Sequence, residues 1–282
     1  MKPAPFAYRR AGSLDEALAL LAEHGDEAKL MSGGQSLVPL LNMRLAQPEL
    51  VVDISRVPEL DEVVEQPDGY RYGAAVVHAR FEDGLVPDAA GGLLRAVAGG
   101  IGYRAIRNRG TLGGSLAHAD SSAEWPVAMS TLGARIVVAS AARGPRTVPA
   151  GHFVEGFFTS ALDDDEAVVA VEVPRLATGA RWGFAKTARK PGEFAESLAV
   201  AVVAADGTAE VWLGAAASVP LRIDAVRDAL VGRSGRPWGE GVAADVVASV
   251  GTALDDGDAY HRQLHGITVA RALQSAMRQE AA

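Results

Sequence analysis

The chain has 282 residues, with 27 basic and 35 acidic side chains, a formal net charge of −8, and 49% hydrophobic residues. This composition is typical of a folded globular protein, and the length allows one large domain or two of ordinary size. The acidic balance argues against nucleic-acid binding, because no basic stretch is dense enough to neutralise a run of phosphates. The absence of cysteine excludes disulfides, thiolate zinc sites, a cysteine nucleophile and any iron–sulfur cluster held by this chain alone.

No stretch approaches about 18 uninterrupted apolar residues, so the sequence predicts no transmembrane helix. The N-terminal residues Met-Lys-Pro-Ala-Pro lack the apolar run of a secretory signal, and we therefore expect a cytoplasmic protein.

The first predicted element is a helix that begins after Ser13 and stops at His24-Gly25. Ser13 and Glu16 form a capping box, in which the Ser13 hydroxyl caps the helix and Glu16 reaches back. Apolar residues then recur with helical spacing as far as Leu21, which predicts that one face of the helix is buried.

A glycine loop between two short elements follows. Residues 28–31 are a predicted strand that leads into Ser32-Gly33-Gly34-Gln35-Ser36. Residues 37–45 repeat with a helical period, in which Pro39 is acceptable only in the first turn. Residues 50–54 are then typical of a buried strand.

Short strands and glycine-rich loops alternate over the middle of the chain. The predicted strands are 70–74, 135–139 and 167–173, and the predicted helices are 93–98 and 123–132. From about residue 178 the pattern changes to strands 198–203 and 209–213, joined by the hairpin signal Asp206-Gly207, and three helices near 221–231, 240–254 and 260–278. A domain boundary is expected near residues 174–179.

The loop of residues 32–36 is the first candidate binding site. Consecutive backbone N–H groups at a strand–glycine–helix junction converge on an anion, and a glycine lets a phosphate oxygen come close. The alternative is a tight turn that merely caps the next helix.

A second loop of the same kind strengthens the first interpretation. Residues 106–115 read Ile-Arg-Asn-Arg-Gly-Thr-Leu-Gly-Gly-Ser, a glycine pair flanked by hydroxyls with two arginines upstream. Two such loops together would clamp a pyrophosphate from both sides, as a dinucleotide requires. Neither loop has the Walker pattern or the spacing of the Rossmann fingerprint, so the common nucleotide-binding folds are disfavoured.

The two loops resemble those of a known family. Residues 32–48, Ser-Gly-Gly-Gln-Ser-Leu-Val-Pro-Leu-Leu-Asn-Met-Arg-Leu-Ala-Gln-Pro, and residues 106–120, which end in Leu-Ala-His-Ala-Asp, are similar to the first and second FAD loops of the medium, flavin-carrying subunit of molybdenum hydroxylases, the carbon monoxide dehydrogenase/xanthine dehydrogenase family. The resemblance covers essentially the whole chain. It implies an α+β fold with a two-lobed FAD-binding domain over 1–176, whose lobes are about 1–57 and 58–176. A smaller C-terminal domain of antiparallel strands and three helices would follow over 177–282.

The resemblance also implies which residues contact FAD. The pyrophosphate would be cradled by Leu30, Met31, Ser32, Gly33, Gly34, Gln35, Ser36 and Leu37, and Thr111, Gly113, Gly114 and Ser115 would complete the clamp. Ile101 would lie near the flavin, Glu124 would bind the adenosine end, Val168 would pack on the isoalloxazine, and Lys186 would sit at its polar edge.

Three positions depart from the family pattern. Ser121 stands where proline is frequent, Glu193 stands where aspartate is usual, and Glu196-Ser197 replaces apolar residues. The loop that holds the last two departures is expected near the exposed face of the flavin, where an electron partner would approach.

The function implied by the resemblance is electron transfer through FAD bound without a covalent link. Electrons would reach FAD from [2Fe–2S] clusters of a small iron–sulfur subunit, after a large molybdopterin-binding subunit has hydroxylated a small molecule. They would pass on to a small-molecule acceptor such as NAD⁺, oxygen or a quinone. We assign no general acid or base; Arg107, Arg109 and Lys186 are candidates to stabilise reduced flavin, although the two arginines are equally compatible with solvated surface. The alternatives are a free-standing FAD-dependent oxidoreductase on the same fold, or a non-enzymatic module that binds no cofactor.

Three other polar groups favour structural interpretations. His118 and Asp120 lack a third metal ligand, which favours hydrogen bonding within the loop. His261 and His265 share a helix face by spacing, for which a solvated surface is the better interpretation. Residues 163–166 lack EF-hand spacing and are expected to form a solvated turn. The sequence therefore predicts no metal site.

Overall fold

A three-stranded parallel sheet forms the first lobe of the fold. The computed structural model describes residues 2–226, 240–254 and 258–279. The elements of this lobe are β1 (Ala7–Arg10), α1 (Leu14–His24), β2 (Ala28–Met31), α2 (Leu37–Met43) and β3 (Leu50–Asp53). The strand order is β1-β3-β2, so the fully buried β3 lies in the centre, where an apolar run is expected.

The predicted cap of α1 is present in a shifted form. The Ser13 hydroxyl accepts a hydrogen bond from the Glu16 amide at 3.2 Å, as the capping box requires. The Glu16 carboxylate instead accepts from the Gly12 amide at 2.8 Å, one residue before the cap. Both donors at the start of the helix are thereby satisfied.

A five-stranded antiparallel sheet with helices packed beside it forms the second lobe. Its strands are β4 (Val63–Gln66), β5 (Gly69–Gly73), β6 (Arg135–Ser140), β7 (Gly144–Pro149) and β10 (Ala167–Pro174), in the order β4-β5-β10-β6-β7. Its helices are α3 (His78–Glu82), α4 (Leu93–Gly99), α5 (Arg104–Arg107), α6 (Leu112–His118) and α7 (Glu124–Thr131), and a small hairpin pairs β8 (Val154–Gly156) with β9 (Thr159–Ser160). The α+β fold class is confirmed.

Among its described residues, the C-terminal part pairs an antiparallel sheet with two long helices. Strands β11 (Arg181–Thr187), β12 (Ser197–Val203), β13 (Ala209–Gly214) and β14 (Leu221–Arg222) pair in sequence order, followed by α8 (Glu240–Ala253) and α9 (Ala259–Arg278). A side chain at Gly183 would place its Cβ 1.8 Å from the Ala272 carbonyl oxygen, so this glycine lets α9 lie directly on β11. The predicted turn is present, with Asp206 accepting from the Thr208 amide at 2.9 Å.

One predicted helix is only partly accounted for. Within the stretch 221–231, residues 221–222 are a strand and residues 224–226 are helical, while residues 227–231 lie outside the described part of the chain. The other two C-terminal helices are confirmed. The hydrophobic core runs from Ala11 to Val200, so the C-terminal sheet packs against the preceding lobes. The domain boundary near residue 176 stays a prediction.

Candidate functional site

The two glycine loops lie side by side. The first loop, residues 32–36, follows β2, and the second, residues 106–115, runs from α5 into α6. Thr111 Oγ1 donates a hydrogen bond to Ser32 Oγ at 3.1 Å, and Arg109 Nε donates to the Gly33 carbonyl oxygen at 3.2 Å. Both lobes therefore contribute to one site, because the first loop comes from the parallel sheet and the second from the antiparallel one.

Backbone hydrogen bonds fix the second loop to the segment after β5. Three amide–carbonyl bonds join them: Gly113 to Ala74 at 2.9 Å, Leu112 to Val76 at 3.0 Å, and His78 to Gly110 at 2.9 Å. Thr111 caps α6 by accepting from the Gly114 amide at 3.1 Å. The loop is thus rigid before any ligand arrives, which lowers the entropy cost of binding.

Three of the four glycines leave room for contacts within the protein, among them Gly114, whose Cβ would lie 2.8 Å from Thr111 Oγ1. A Cβ at Gly33 would lie 1.9 Å from the Arg109 carbonyl oxygen, and a Cβ at Gly113 would lie 2.4 Å from the Ala74 side chain. The missing side chain of Gly33 lets the two loops touch, and its expected close approach to a phosphate stays a prediction. Gly34 is needed for its backbone, which has a φ of 72°.

The first loop presents donors that the protein does not use. Within the described residues, the amides of Gly34, Gln35 and Ser36 donate no hydrogen bond to a protein acceptor. Gly114 is exposed and Ser115 is half-buried on the adjoining loop. Converging free amides and a hydroxyl at a glycine-lined surface fit an anionic diphosphate, and they need no basic cluster.

Beyond the loops, a buried ion pair joins two of the residues expected to contact FAD. Lys186 Nζ, on β11, lies 2.6 Å from Glu124 Oε1, at the start of α7, and donates a second hydrogen bond to the Gly100 carbonyl oxygen at 3.1 Å. The side chains of Lys186 and Glu124 are 12% and 7% exposed. Burial raises the pKa of Glu124, and the neighbouring ammonium opposes that rise.

This ion pair bears on the roles expected for its members. An extended flavin dinucleotide separates its adenosine end from its isoalloxazine, whereas Glu124 and Lys186 are in direct contact. The expected contacts of Glu124 with the adenosine end and of Lys186 with the polar edge of the isoalloxazine stay predictions.

The two arginines of the second loop differ in their partners. Arg107 donates to both carboxylate oxygens of Glu82, at 2.8 and 2.7 Å, and is 12% exposed. Arg109 is exposed, and its guanidinium bonds to the Gly33 carbonyl oxygen. Glu82 neutralises the charge of Arg107, whereas Arg109 keeps its charge beside the first loop; a role of either arginine in stabilising reduced flavin stays a prediction.

A histidine–tryptophan pair behind the second loop was not found from the sequence. Trp125 Nε1 donates to His78 Nδ1 at 3.0 Å, and the His78 amide donates to the Gly110 carbonyl oxygen. Burial, assisted by the charge of Arg107, lowers the pKa of His78 to about 3, so the imidazole is neutral. The partners are 47 residues apart, and no local pattern marks them.

The last two candidates, Ile101 and Val168, differ in how deeply they are buried. Ile101 is partly buried in the turn after α4, with its carbonyl bonded to Arg107. Val168 is 5% exposed and belongs to the core, beside an irregularity in the pairing of β10 with β6. The expected contacts of both residues with the flavin stay predictions.

Comparison with known proteins identifies the family. The sequence profile of the "FAD binding domain in molybdopterin dehydrogenase" matches residues 4–176. The chain belongs to this family. It is 36% identical over 259 residues to the caffeine dehydrogenase subunit beta of Pseudomonas sp. (strain CBB1), with 90% of this chain and 87% of that protein covered. It is also 34% identical to the carbon monoxide dehydrogenase medium chain of Hydrogenophaga pseudoflava, with 98% of each covered.

A solved structure extends the likeness to the whole fold. The structure of carbon monoxide dehydrogenase from Hydrogenophaga pseudoflava matches with a TM-score of 0.89 and 32% identity, covering 98% of each chain. This FAD-binding subunit is thus an FAD-dependent oxidoreductase subunit of the molybdenum hydroxylase type. In the part of the chain that the structure describes, no helix is long and apolar enough to cross a membrane.

The three departures from the family pattern have structural explanations. Ser197 is fully buried, and its Oγ is hydrogen-bonded to His265 Nδ1 at 2.9 Å. Glu193 lies between Arg189 and Lys190, at 3.3 and 3.4 Å. Ser121 is buried, and its carbonyl oxygen accepts a hydrogen bond from a backbone amide of the C-terminal part of the chain. Ser121, Glu193 and Ser197 thus each have a contact within the protein.

Two of the structural interpretations need correction. His265 is buried against β12, so the face it shares with His261 is not wholly solvated; burial lowers the pKa of His265. Glu166 is also buried, where it pairs with Arg146 at 2.5 Å; the hydrogen bond from Arg146 lowers the pKa of Glu166 to about 2. The expected hydrogen bonding near the second loop is confirmed for Asp120, which accepts from Ser122. Among the described residues, no group of three or more potential ligands is arranged to hold a metal ion.

Proposed function

We propose that this chain is the FAD-carrying electron-transfer subunit of a three-subunit molybdenum hydroxylase or dehydrogenase. The observation that carries the proposal is the direct contact between the two glycine loops, which brings unused amides of one lobe beside the cap of α6 on the other. The FAD held by these residues would supply the redox chemistry between the iron–sulfur clusters of a partner chain and a small-molecule acceptor. The names "subunit beta" and "medium chain" of the relatives support a place among partner chains.

The contribution of this chain would be to bind and orient the cofactor. Residues Leu30 to Leu37 would hold the diphosphate from one side, and Thr111, Gly113, Gly114 and Ser115 from the other. The Glu124–Lys186 pair would place a fixed, nearly neutral polar group beside the ligand. No side chain is assigned as a general acid or base.

The composition supports the placement of the metal centres on partner chains. Without cysteine, the chain has no thiolate to hold a [2Fe–2S] cluster in the usual way. The clusters and the molybdopterin would therefore lie on a small and a large subunit. Within this chain, we propose residues 1–176 as the FAD-binding domain and 177–282 as a second domain; the extent of the family match, residues 4–176, supports that division.

A purification experiment tests this function. A tagged chain isolated from its source should bring down two partner chains together with molybdenum, iron and FAD. The same chain produced alone should be yellow, absorb near about 450 nm, and release its flavin on acid precipitation, as a non-covalent cofactor does. A chain that purifies without partners and reduces oxygen with its own substrate would establish the free-standing oxidoreductase instead. The structure gives that alternative no support, because the Glu193–Ser197 stretch that motivated it makes structural contacts.

A further inference from the structure

Three consecutive backbone carbonyls after α4 each accept a hydrogen bond from a cation. We call residues 99–103, Gly-Gly-Ile-Gly-Tyr, the 99–103 turn. Lys186 Nζ donates to the Gly100 carbonyl oxygen at 3.1 Å. Arg107 Nη1 donates to the carbonyl oxygens of Ile101 at 3.1 Å and Gly102 at 2.9 Å. The turn is thus held from two sides.

The guanidinium of Arg107 is itself oriented by Glu82. Its Nε and Nη2 form a two-pronged contact with the two carboxylate oxygens, at 2.8 and 2.7 Å. This planar pairing leaves Nη1 as the group that points to the turn. The hydrogen bond from Arg107 also holds the pKa of Glu82 below its usual range, so the pair stays charged near neutral pH.

Backbone hydrogen bonds hold the two ends of the turn, from the Gly100 and Ile101 amides back to α4 and from α5 to the Tyr103 carbonyl oxygen, whereas Arg107 supplies the bonds to the carbonyls of Ile101 and Gly102. Three of the five residues of the turn are glycines, and Gly102 has a positive φ of 50°. Glycine loses more conformational freedom on folding than any other residue, so ordering this segment is costly. Two charge-assisted hydrogen bonds from one rigid group offset that cost over adjacent residues.

We infer that Arg107 is a positioning residue, which acts through the carbonyls of the 99–103 turn to hold Ile101 against the bound flavin. The inference rests on the proposed function, because it takes Ile101 to be a neighbour of FAD. Arg107 acts through the backbone and does not itself contact the cofactor. Glu82 neutralises the charge of Arg107, so the role of Arg107 is to fix the position of the turn.

The same helix supplies a matched control. Arg104 also pairs with Glu82, at 2.8 Å, and with Asp83, at 2.6 Å, but it donates to no carbonyl of the turn. The variant Arg104→Met therefore removes one cation from the same cluster and leaves the turn intact. In the same way, Glu82→Gln loosens both Arg107 and Arg104, whereas Asp83→Asn loosens Arg104 and leaves the Arg107 pair in place.

The experiment uses the FAD-loaded complex purified through this chain. Visible circular dichroism of the bound flavin, its midpoint potential and FAD affinity are measured for wild type and variants. Arg107→Met should change the flavin dichroism and weaken FAD binding about tenfold, the scale expected for loss of hydrogen bonds to a charged group. Arg104→Met should match wild type. Arg107→Lys should restore binding only in part, because an ammonium cannot reproduce the two-pronged contact with Glu82.

Each other result overturns the inference. Wild-type dichroism and affinity in Arg107→Met would show that the turn does not need the clamp, and equal losses in Arg107→Met and Arg104→Met would assign the effect to the charge cluster. If Arg107→Met does not fold, the contrast between Glu82→Gln and Asp83→Asn decides in the same way. A wild-type complex without FAD would refute the proposed function and the inference with it, whereas an FAD-loaded wild type with unaffected variants refutes the inference alone.

Discussion

The buried Glu124–Lys186 pair should contribute strongly to the free energy of unfolding. Replacing Lys186 by Met removes the ammonium and leaves the Glu124 carboxyl in a site where only 7% of its surface is exposed. Losing one partner of a buried pair costs about 3 to 5 kcal/mol, because the remaining charge is left without compensation. Glu124 can escape part of that cost by taking up a proton, so we expect a loss near about 3 kcal/mol at neutral pH.

The complementary change should be milder. In Glu124→Gln the amide oxygen still accepts from Lys186 Nζ, and the ammonium keeps its bond to Gly100, so a loss of about 1 to 2 kcal/mol is expected. The double variant should lose less than the sum of the two single losses. A coupling free energy of about 1 to 3 kcal/mol between the residues is the expected size for a direct contact.

The pH dependence has a definite sign. Burial raises the pKa of Glu124 in the folded state, and removing Lys186 raises it further. A raised folded pKa contributes stability that is present below the unfolded value, near about 4.3, and is lost as pH rises. Lys186→Met should therefore be more damaging at pH 8 than at pH 5.

Urea unfolding of the FAD-free chain measures these losses, with the slope checked for each variant. A loss below about 1 kcal/mol in Lys186→Met, or a loss that shrinks as pH rises, would refute the account of a buried and coupled pair.

The remaining predictions concern the loops and the histidine behind them. Gly33→Val should abolish retention of FAD on gel filtration, because the new side chain meets the Arg109 carbonyl and separates the loops, and Gly114→Val should do the same by displacing the cap of α6. Gly251→Ala is the control, since nothing lies within 4 Å of its Cβ and full FAD content is expected; equal retention in all three would contradict the loop assignment. Ser115→Ala should weaken FAD binding by only about 1 kcal/mol in a titration, as loss of one hydrogen bond does. Because the pKa of His78 is lowered to about 3, the unfolded state takes up a proton first as pH falls, so stability should drop by about 2 kcal/mol between pH 7.5 and 5. In His78→Gln, unfolding curves should show a stability that falls less over the same pH range, because this contribution is missing. A pH dependence equal to that of the wild type would show that the imidazole is not buried in its neutral form.

Signals confined to a few residues predicted most of the secondary structure. Ser13 caps its helix, Pro39 lies in the first turn of α2, and Asp206 marks the hairpin, because each depends on backbone groups close in sequence. The glycine loops were equally visible. A sharp bend between a strand and a helix requires particular residues next to one another in the sequence. Two such motifs in the right order resembled those of the family closely enough to indicate it.

Patterns in the local sequence could not show why a particular residue is required at its position. Gly33 and Gly34 are adjacent, yet one is required by contact with Arg109 and the other by its own positive φ. The spacing of His261 and His265 predicts that both lie on one face of a helix. Only His265, however, contacts Ser197, which lies on a strand 68 residues earlier. Which face of a helix is covered depends on what the chain later packs against it.

By itself, the sequence determined the fold class, the order of most elements, the two loops and the absence of any thiolate chemistry. Only the tertiary structure decided which charged groups neutralise one another. Glu124 pairs with Lys186 across 62 residues, and Arg107 pairs with Glu82 across 25. The free energy of such pairs depends on distance and burial, and both are set when distant segments meet in the folded chain.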